Sequence, residues 1–253
     1  MVFKSPTPDI PVSLEPLHEK ILRAVDLHSK RDPNAQALVC AEDPSDFLTF
    51  GQFRQKVDSL ATFLNQRGFG HRDVLCQVLA NSFEFIISMV AVSKCGGVMS
   101  GASAVFTPLT DTNHLQLVVT AAKNCPLVKT IIVVNYTNQP LPSGLVDWTT
   151  AVSTPPQKIQ PYNFSPEDLV FLPYSSGTTG SPKGVMLCHR NSGTMFESVM
   201  RHMELYFEPK MRAGNEQFEW FGSAIPLMLP YYHIYGLGIV VMVSCKMYQD
   251  EKV

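Results

Sequence analysis

The sequence predicts an α/β fold of layered, mostly parallel, doubly wound sheets with flanking helices. Short apolar runs, several rich in β-branched residues, alternate along the chain with segments whose apolar residues recur every three or four positions. This alternation favours parallel strands, because each helical crossover returns the chain to the same end of the sheet. The hydrophobic fraction of 45% and the charged fraction of 17% indicate a globular protein with a large core.

Helices are predicted where apolar residues share one face and end signals bracket the segment. A proline-rich arm, residues 1–12, comes first. Ser82 is a side-chain cap for one helix, and Gly96 ends that helix. The predicted helices run from Leu14 to Arg31, from Gly51 to Gly68, from Ser82 to Lys94, from Leu115 to Asn124, from His189 to about Tyr206 and from Gly236 to Cys245.

Strands are predicted at the short apolar runs between the helices. They are Ala37–Cys40 and Phe47–Phe50, which are expected to form a hairpin, followed by Val74–Leu79, Val98–Ala104, Val128–Val134 and Leu169–Leu172. Residues 135–165 are rich in Pro, Thr and Asn, and we expect them to form a long surface connection.

Composition argues against several classes of protein. A net charge of −2 gives no electrostatic basis for binding nucleic acid. No uninterrupted apolar run reaches the length of a membrane span, and we find neither a secretory signal nor a C-terminal Ser-Lys-Leu. The six cysteines lack metal-binding spacing, so we expect reduced thiols, no metal-ligating residues and a cytoplasmic location. A peroxisomal location of a full-length form is the alternative.

One ten-residue run, from Ser175 to Gly184, is the most informative about function. Its glycines let backbone N–H groups approach an anion, its hydroxyls add donors, and Lys183 supplies positive charge. It follows the predicted strand Leu169–Leu172, and open α/β sheets bind ligands at strand ends. The candidate phosphate-binding residues are Ser175, Ser176, Gly177, Thr178, Thr179, Gly180, Lys183 and Gly184.

Two other interpretations of this run are weaker. An ordinary Gly/Ser/Thr-rich surface turn rarely places a lysine between glycines directly after a buried strand. The Walker P-loop requires Gly-x-x-x-x-Gly-Lys-Ser/Thr. Here Gly177 and Gly180 are too close together, and Gly184 follows Lys183 where a magnesium-binding hydroxyl is needed.

The segment from Tyr174 to Asn191 resembles the AMP-binding signature of the adenylate-forming superfamily, in the branch of acyl-CoA synthetases, coumarate–CoA ligases and beetle luciferases. The resemblance implies a loop that holds the β- and γ-phosphates of ATP during attack by a carboxylate, with Thr178, Thr179 and Lys183 as catalytic residues. It also implies ATP, Mg²⁺ and CoA as cofactors, and a small carboxylic acid as substrate.

The segment from Pro226 to Gly238 resembles a second landmark of this superfamily, a histidine motif, with a short insertion before the histidine. The resemblance implies that Tyr232, His233, Tyr235 and Gly236 line the acyl or aryl pocket and that His233 acts in catalysis near the α-phosphate. A partly buried structural histidine is the alternative. The tyrosines suit an aryl or a fatty acyl group equally.

Two departures from the family pattern lead to further expectations. After Phe106-Thr107-Pro108 the chain passes almost directly to the helix at Leu115, so a helix–strand unit is expected to be missing. An interior strand lost in this way would expose a sheet edge through which the chain could form oligomers. The chain also ends soon after His233, before the positions of the family's magnesium-binding glutamate, hinge and adenylation lysine.

The resemblance therefore implies an incomplete N-terminal domain of the adenylate-forming fold. Residues 1–165 would form a first lobe and connection, and residues 166–253 would form the phosphate-loop segment and the start of a second lobe, without the mobile C-terminal domain. The implied function is that of an acid–thiol ligase, impaired or inactive in this chain, which forms an acyl-adenylate and then a CoA thioester. A non-catalytic relative that binds a nucleotide or a partner protein is the alternative.

Overall fold

The computed structural model describes residues 9–101, 107–137, 139–175, 183–214 and 225–246. Its centre is a seven-stranded sheet in the order β11–β8–β4–β3–β5–β6–β7. The strands are β3 (Val74–Val78), β4 (Val98–Gly101), β5 (Thr107–Asp111), β6 (Ile131–Val134), β7 (Leu145–Asp147), β8 (Leu169–Leu172) and β11 (Leu187–Cys188). Every pair is parallel except β11 with β8. With helices flanking this sheet, the predicted fold class is confirmed.

Two small antiparallel sheets accompany the large one. One pairs β1 (Gln36–Val39) with β2 (Phe47–Thr49), which confirms the predicted hairpin, and the other pairs β9 (Tyr174–Ser175) with β10 (Lys183–Gly184). The helices are α1 (Leu17–Arg31), α2 (Phe50–Gln66), α3 (Phe83–Lys94), α4 (Leu115–Ala122), α5 (Trp148–Val152), α6 (His189–His202), α7 (Glu208–Gly214) and α8 (Ile234–Lys246), with a π-helical turn (Met203–Phe207) between α6 and α7. No helix in the described ranges is long and apolar enough to cross a bilayer.

The core lies between the sheet and a layer of helices that includes α1, α2 and α3, which contact one another. Leu60, Leu75 and Val90 have no exposed surface, and each such side chain contributes about 1.5–3 kcal/mol when fully buried. The cap predicted for α3 is confirmed, because the Ser82 hydroxyl accepts the N–H of Phe85 at the start of this helix. Helical periodicity and capping therefore position the layer on which the candidate site rests.

A buried lysine joins α1 to α6, the helix that follows the predicted phosphate loop. Lys20 of α1 is only 2% exposed; it forms ion pairs with Glu197 of α6 and, at 3.5 Å, with Glu15. Its ammonium group also lies 5.3 Å from the centre of the Phe196 ring. Because a buried charge without a partner is strongly destabilising, this cluster holds α6 in a defined place against α1.

The expectation of an exposed edge inside the sheet is wrong, whereas the loss of a helix–strand unit relative to the family pattern stays a prediction. β5 is hydrogen-bonded to β3 on one side and to β6 on the other, so the sheet has no interior gap. Sequence reasoning missed β5 because Pro108 lies within this strand, and proline argues against an interior strand. Only five residues, 102–106, join β4 to β5, whereas parallel strands usually need a crossover of a dozen or more.

Smaller differences concern short or irregular elements. Residues 135–165 are not only a connection, because they contain β7 and α5, where the Asp147 side chain accepts the N–H of Thr149. A three-residue strand is too short to show an alternating pattern. The helix predicted from His189 to Tyr206 ends as an α-helix at His202 and continues as the π-helical turn. Residues 102–104 of the strand predicted at Val98–Ala104 lie outside the described residues.

The two predicted lobes of the chain share one sheet. β8, which belongs to residues 166–253, pairs with β4, which belongs to residues 1–165, through Met99 with Phe171 and Ser100 with Leu172. The outer strands, β7 and β11, are three and two residues long. Short outer strands expose few backbone hydrogen-bonding groups with which another chain could pair. Oligomer formation through a sheet edge stays a prediction.

Candidate functional site

The two predicted functional segments converge at the carboxyl ends of β4 and β8. These strands end side by side, and the Ser100 hydroxyl donates to the carbonyl oxygen of Leu172 at 2.9 Å. The run predicted to bind phosphate begins three residues after Leu172. At the end of β4, a Cβ atom added to Gly101 would lie 3.4 Å from the Cβ of Tyr232, in the histidine segment. Residues far apart in sequence therefore meet at the edge where parallel sheets bind ligands.

An antiparallel hairpin frames the phosphate loop. Lys183 pairs with Ser175 and Gly184 with Tyr174, and the N–H of Val185 donates to the carbonyl of Pro173 at 2.8 Å. These pairs bring the two ends of the intervening seven-residue segment together. The side chains of Ser175 and Lys183 are exposed to solvent, where a ligand can reach them.

The other phosphate-loop residues named from the sequence fall in that seven-residue segment. They are Ser176, Gly177, Thr178, Thr179 and Gly180, and they lie outside the described residues. Their roles stay predictions. Gly184 lies within the hairpin, and a Cβ there would lie 3.3 Å from Leu172 Cδ1 and 3.6 Å from Tyr174 Cζ. A glycine therefore lets the hairpin pack closely against the end of β8.

Beyond the hairpin, a cap starts α6 in a defined direction. The Cys188 sulfur accepts the N–H of Asn191 at 3.4 Å, and the Asn191 side-chain oxygen accepts the N–H of Cys188 at 3.2 Å. The next residue, His189, is 1% exposed, and its Nδ1 accepts the N–H of Leu17 at 3.0 Å. This hydrogen bond connects the start of α1 to the start of α6.

Two buried imidazoles, His18 of α1 and His189 at the start of α6, are close enough to interact electrostatically. Burial lowers the pKa of His189 to about 4. Burial lowers the pKa of His18 to about 3, and the positive charge of a protonated His189 and of Lys94 and Arg54 acts in the same direction. His18 Nδ1 lies 3.2 Å from the hydroxyl of Ser93. Both rings are therefore neutral at physiological pH, and their role is structural.

His233 lies at the start of α8. Its N–H donates to the carbonyl of Pro230 at 3.1 Å, and its Nδ1 accepts the N–H of Tyr235 at 3.3 Å. A neutral imidazole that accepts at Nδ1 carries its proton on Nε2. The His233 side chain is exposed, so the Nε2–H can donate to an oxygen of a ligand.

The tyrosines of this segment divide into two groups. Tyr232 and Tyr235 are 59% and 67% exposed, whereas Tyr231 is 8% exposed and meets the ring of Phe85 edge-on at 5.4 Å. Burial raises the pKa of Tyr231. Tyr231 is therefore an anchor of the segment. The other two remain available to a ligand but do not enclose a pocket among the described residues.

Gly236 is required by the turn that presents His233. A Cβ atom there would lie 2.1 Å from the carbonyl oxygen of Pro230 and 2.7 Å from its carbon. We expect Gly236→Ala to displace this turn and to lower the free energy of unfolding by about 2 kcal/mol, as overpacking does. Urea unfolding measures this change. The matched control is Gly238→Ala in the same helix, whose Cβ would meet only Met195 Cε at 3.9 Å. Equal stability of the two variants would contradict the packing.

Sequence reasoning missed Asn81, which follows β3 and hydrogen-bonds to the histidine segment. The contact spans about 150 positions of sequence, and no local pattern indicates it. A small cavity lined by Leu64, Arg67, Phe69 and Lys129 lies at the amino ends of β3 and β6, the opposite edge of the sheet from the candidate site. Within the described ranges, no group of three or more His, Cys, Asp or Glu residues is arranged to hold a metal ion.

Comparisons with known proteins give consistent matches. A family model described as AMP-binding enzyme matches residues 25–246. Acyl-CoA synthetase 7 from Caenorhabditis elegans is 31% identical over 248 residues, which cover 91% of this chain and 44% of that protein. 4-Coumarate–CoA ligase 1 from Solanum tuberosum is 27% identical over 260 residues, which cover 97% of this chain and 44% of the ligase. The chain thus spans less than half the length of these relatives.

Solved structures share the fold. An acetoacetyl-CoA synthetase from Streptomyces lividans matches with a TM-score of 0.69 at 17% identity, over 92% of this chain and 37% of that one. A red-emitting luciferase from Phrixothrix hirtus matches with a TM-score of 0.70 at 18% identity, over 94% of this chain and 60% of that one. At these identities the likeness is one of fold.

Proposed function

Because this chain belongs to the AMP-binding enzyme family, we propose that it binds ATP and a small carboxylic acid and joins them as an acyl-adenylate, which CoA converts to a thioester. The observation that carries the proposal is the meeting of the phosphate-loop hairpin and the His233 segment at the carboxyl ends of β8 and β4. The names of the relatives, an acyl-CoA synthetase and a 4-coumarate–CoA ligase, support this class of reaction.

The reaction has two steps. A carboxylate oxygen attacks the α-phosphorus of ATP, the bond to the β-phosphate oxygen breaks, and pyrophosphate leaves. The thiol of CoA then attacks the acyl carbon, loses its proton and releases AMP. Negative charge grows on the leaving pyrophosphate in the first step, so donors placed in advance around it stabilise the transition state.

The phosphate-loop residues divide this task. Lys183 supplies the positive charge next to the leaving group. The hydroxyls of Thr178 and Thr179 and the N–H groups of Gly177 and Gly180 donate to the β- and γ-phosphates. Ser175, Ser176 and Gly184 complete the loop; the pairing of Ser175 with Lys183 at its base supports this arrangement.

The histidine segment binds the other reactant. With its proton on Nε2, His233 donates to an oxygen of the carboxylate or of the α-phosphate. Tyr232 and Tyr235 contact the acyl or aryl group, and Gly236 keeps the turn compact. Their exposure at the end of β4, the strand next to β8, supports this assignment.

Mg²⁺ fits this site as an ion held by the nucleotide. The described residues offer no cluster of three metal-ligating side chains, and Mg²⁺ in nucleotide sites is bound mainly by phosphate oxygens and water. When bound, it neutralises phosphate charge. Lys183 would neutralise part of the remaining negative charge on the phosphates.

A nucleotide-binding protein without ligase activity is the second candidate. The observation that favours it is the large exposed fraction of Tyr232 and Tyr235, since acyl pockets normally enclose most of their ligand. In this case the chain would bind ATP without activating a carboxylate.

Exchange of radioactive pyrophosphate into ATP separates the two candidates. The purified chain is assayed with ATP, Mg²⁺ and, in turn, acetate, octanoate, palmitate and coumarate. We expect exchange that depends on one class of carboxylate, because reversal of adenylation returns labelled pyrophosphate to ATP. Saturable ATP binding without carboxylate-dependent exchange would favour the second candidate and contradict the first.

A further inference from the structure

We propose that Asn81 is a positioning residue that sets the place of the His233 segment relative to the carboxyl ends of β4 and β8. This inference rests on the proposed function, because it assigns Asn81 to the carboxylate side of the site. Asn81 lies just beyond β3, the strand adjacent to β4. The histidine segment lies against the end of β4 through Tyr232.

The Asn81 amide uses both its donor and its acceptor on the backbone of the segment. Its Nδ2 donates to the carbonyl of Leu229 at 2.8 Å and reaches that of Leu227 at 3.5 Å. Its Oδ1 accepts the N–H of Tyr231 at 2.9 Å. A side-chain amide carries both a donor and an acceptor, so it pairs with backbone C=O and N–H groups as a neighbouring strand does.

The platform beneath Asn81 is firmly held. The next residue, Ser82, caps α3, and Phe85 of that helix receives the ring of Tyr231. From Tyr231 the contacts continue to the turn in which the Pro230 carbonyl accepts the N–H of His233. A continuous set of contacts therefore connects the end of β3 to His233.

Ring burial and hydrogen bonding hold the segment in different ways. Apolar burial of Tyr231 is non-directional, so it keeps the segment near α3 without fixing its position along the helix. The Asn81 hydrogen bonds are directional and fix which backbone groups lie at the end of β3. Loss of Asn81 should leave the segment docked but displaced. The displaced segment then makes weaker contacts with the carboxylate, and loss of such binding contacts raises the KM for that substrate.

The kinetic test compares two substrates of the same reaction. In carboxylate-dependent pyrophosphate exchange, we expect Asn81→Ala to raise the KM for the carboxylate about tenfold and to leave the KM for ATP within about twofold. Asn81→Asp keeps the shape of the side chain. Its carboxylate can only accept hydrogen bonds, so it cannot donate to the Leu229 carbonyl as Asn81 does. We therefore expect Asn81→Asp to raise the KM for the carboxylate at neutral pH as Asn81→Ala does. If Asn81 only fills space, Asn81→Asp should keep the wild-type KM.

A matched control has the same chemistry elsewhere. Asn65 accepts the N–H of Gln160 at 3.1 Å and donates to the carbonyl of Phe69 at 3.5 Å. Asn65→Ala thus removes a side-chain bridge between two backbone segments away from the candidate site. We expect both KM values to stay unchanged in this variant.

Hydrogen exchange tests the positioning without catalysis. In Asn81→Ala we expect the amide of Tyr231 to exchange about tenfold faster, because its acceptor is gone, while the amides of α3 (Phe83–Lys94) keep their rates. If the wild-type chain shows no pyrophosphate exchange, the proposed function is contradicted. The hydrogen-exchange rate of the Tyr231 amide still tests the role of Asn81 in that case. Unchanged protection of Tyr231, or an equal rise of both KM values, would overturn the inference.

Discussion

Replacement of Lys183 by alanine is expected to lower carboxylate-dependent pyrophosphate exchange about a hundredfold or more, the largest catalytic effect that we predict for a single change. Loss of one well-placed donor to charge that develops in a transition state reduces turnover by about 10²–10³. Lys183 lies in the hairpin at the carboxyl end of β8, exposed and paired with Ser175. Because its side chain is exposed, the melting temperature should change little.

The matched control for this prediction is Lys158→Ala, which removes an exposed lysine far from the hairpin in sequence. Its exchange rate should equal that of the wild type. Lys183→Arg keeps the charge but changes its shape and donor geometry, so an intermediate rate is expected. A rate of Lys183→Ala within about threefold of the wild type would contradict the proposed transition-state role of Lys183.

Acid is expected to destabilise the fold through two histidines. His18 and His189 have pKa values of about 3 and about 4 in the folded chain, against about 6.5 in an unfolded chain. Between these values the unfolded state binds more protons, so stability is complete above pH 6.5 and falls as the pH falls below it. From pH 7 to pH 5 each ring contributes a loss of about 2 kcal/mol.

Urea unfolding at pH 7, 6 and 5 measures this loss. His189→Gln and His18→Gln should each reduce the pH dependence of stability by roughly half. Each variant also lowers stability at pH 7, because His189→Gln removes a buried hydrogen bond to Leu17 and His18→Gln removes one to Ser93. His202→Gln, at an exposed position of α6, should keep the wild-type slope. A stability independent of pH between 7 and 5 would contradict the burial of neutral rings.

Much of the fold follows from local patterns in the sequence. The apolar face and caps of α2 and α3 and the β-branched run of β6 each indicate one element, and their alternation indicates the parallel sheet. β5 and β7 do not follow in this way. β5 contains a proline and β7 has three residues, and both are strands because neighbouring strands supply hydrogen-bond partners.

The candidate site shows the same division between local and tertiary information. Composition together with local position indicates the phosphate loop, because an ordinary Gly/Ser/Thr-rich turn rarely places a lysine between glycines directly after a buried strand. The Asn81 contacts depend on β3 and the histidine segment meeting in space, and one asparagine before a helix gives no sign of that. The split between a buried Tyr231 and an exposed Tyr232 likewise depends on where Phe85 lies.

The central proposal is that a carboxylate oxygen attacks the α-phosphorus of ATP at the edge formed by β4 and β8. Its most direct test uses a carboxylic acid labelled with ¹⁸O in both oxygens, with ATP and CoA, and mass analysis of the nucleotide product. Attack at the α-phosphorus transfers one labelled oxygen to AMP, so we expect AMP that carries one ¹⁸O. Unlabelled AMP, or ADP with the label in inorganic phosphate, would contradict the claim.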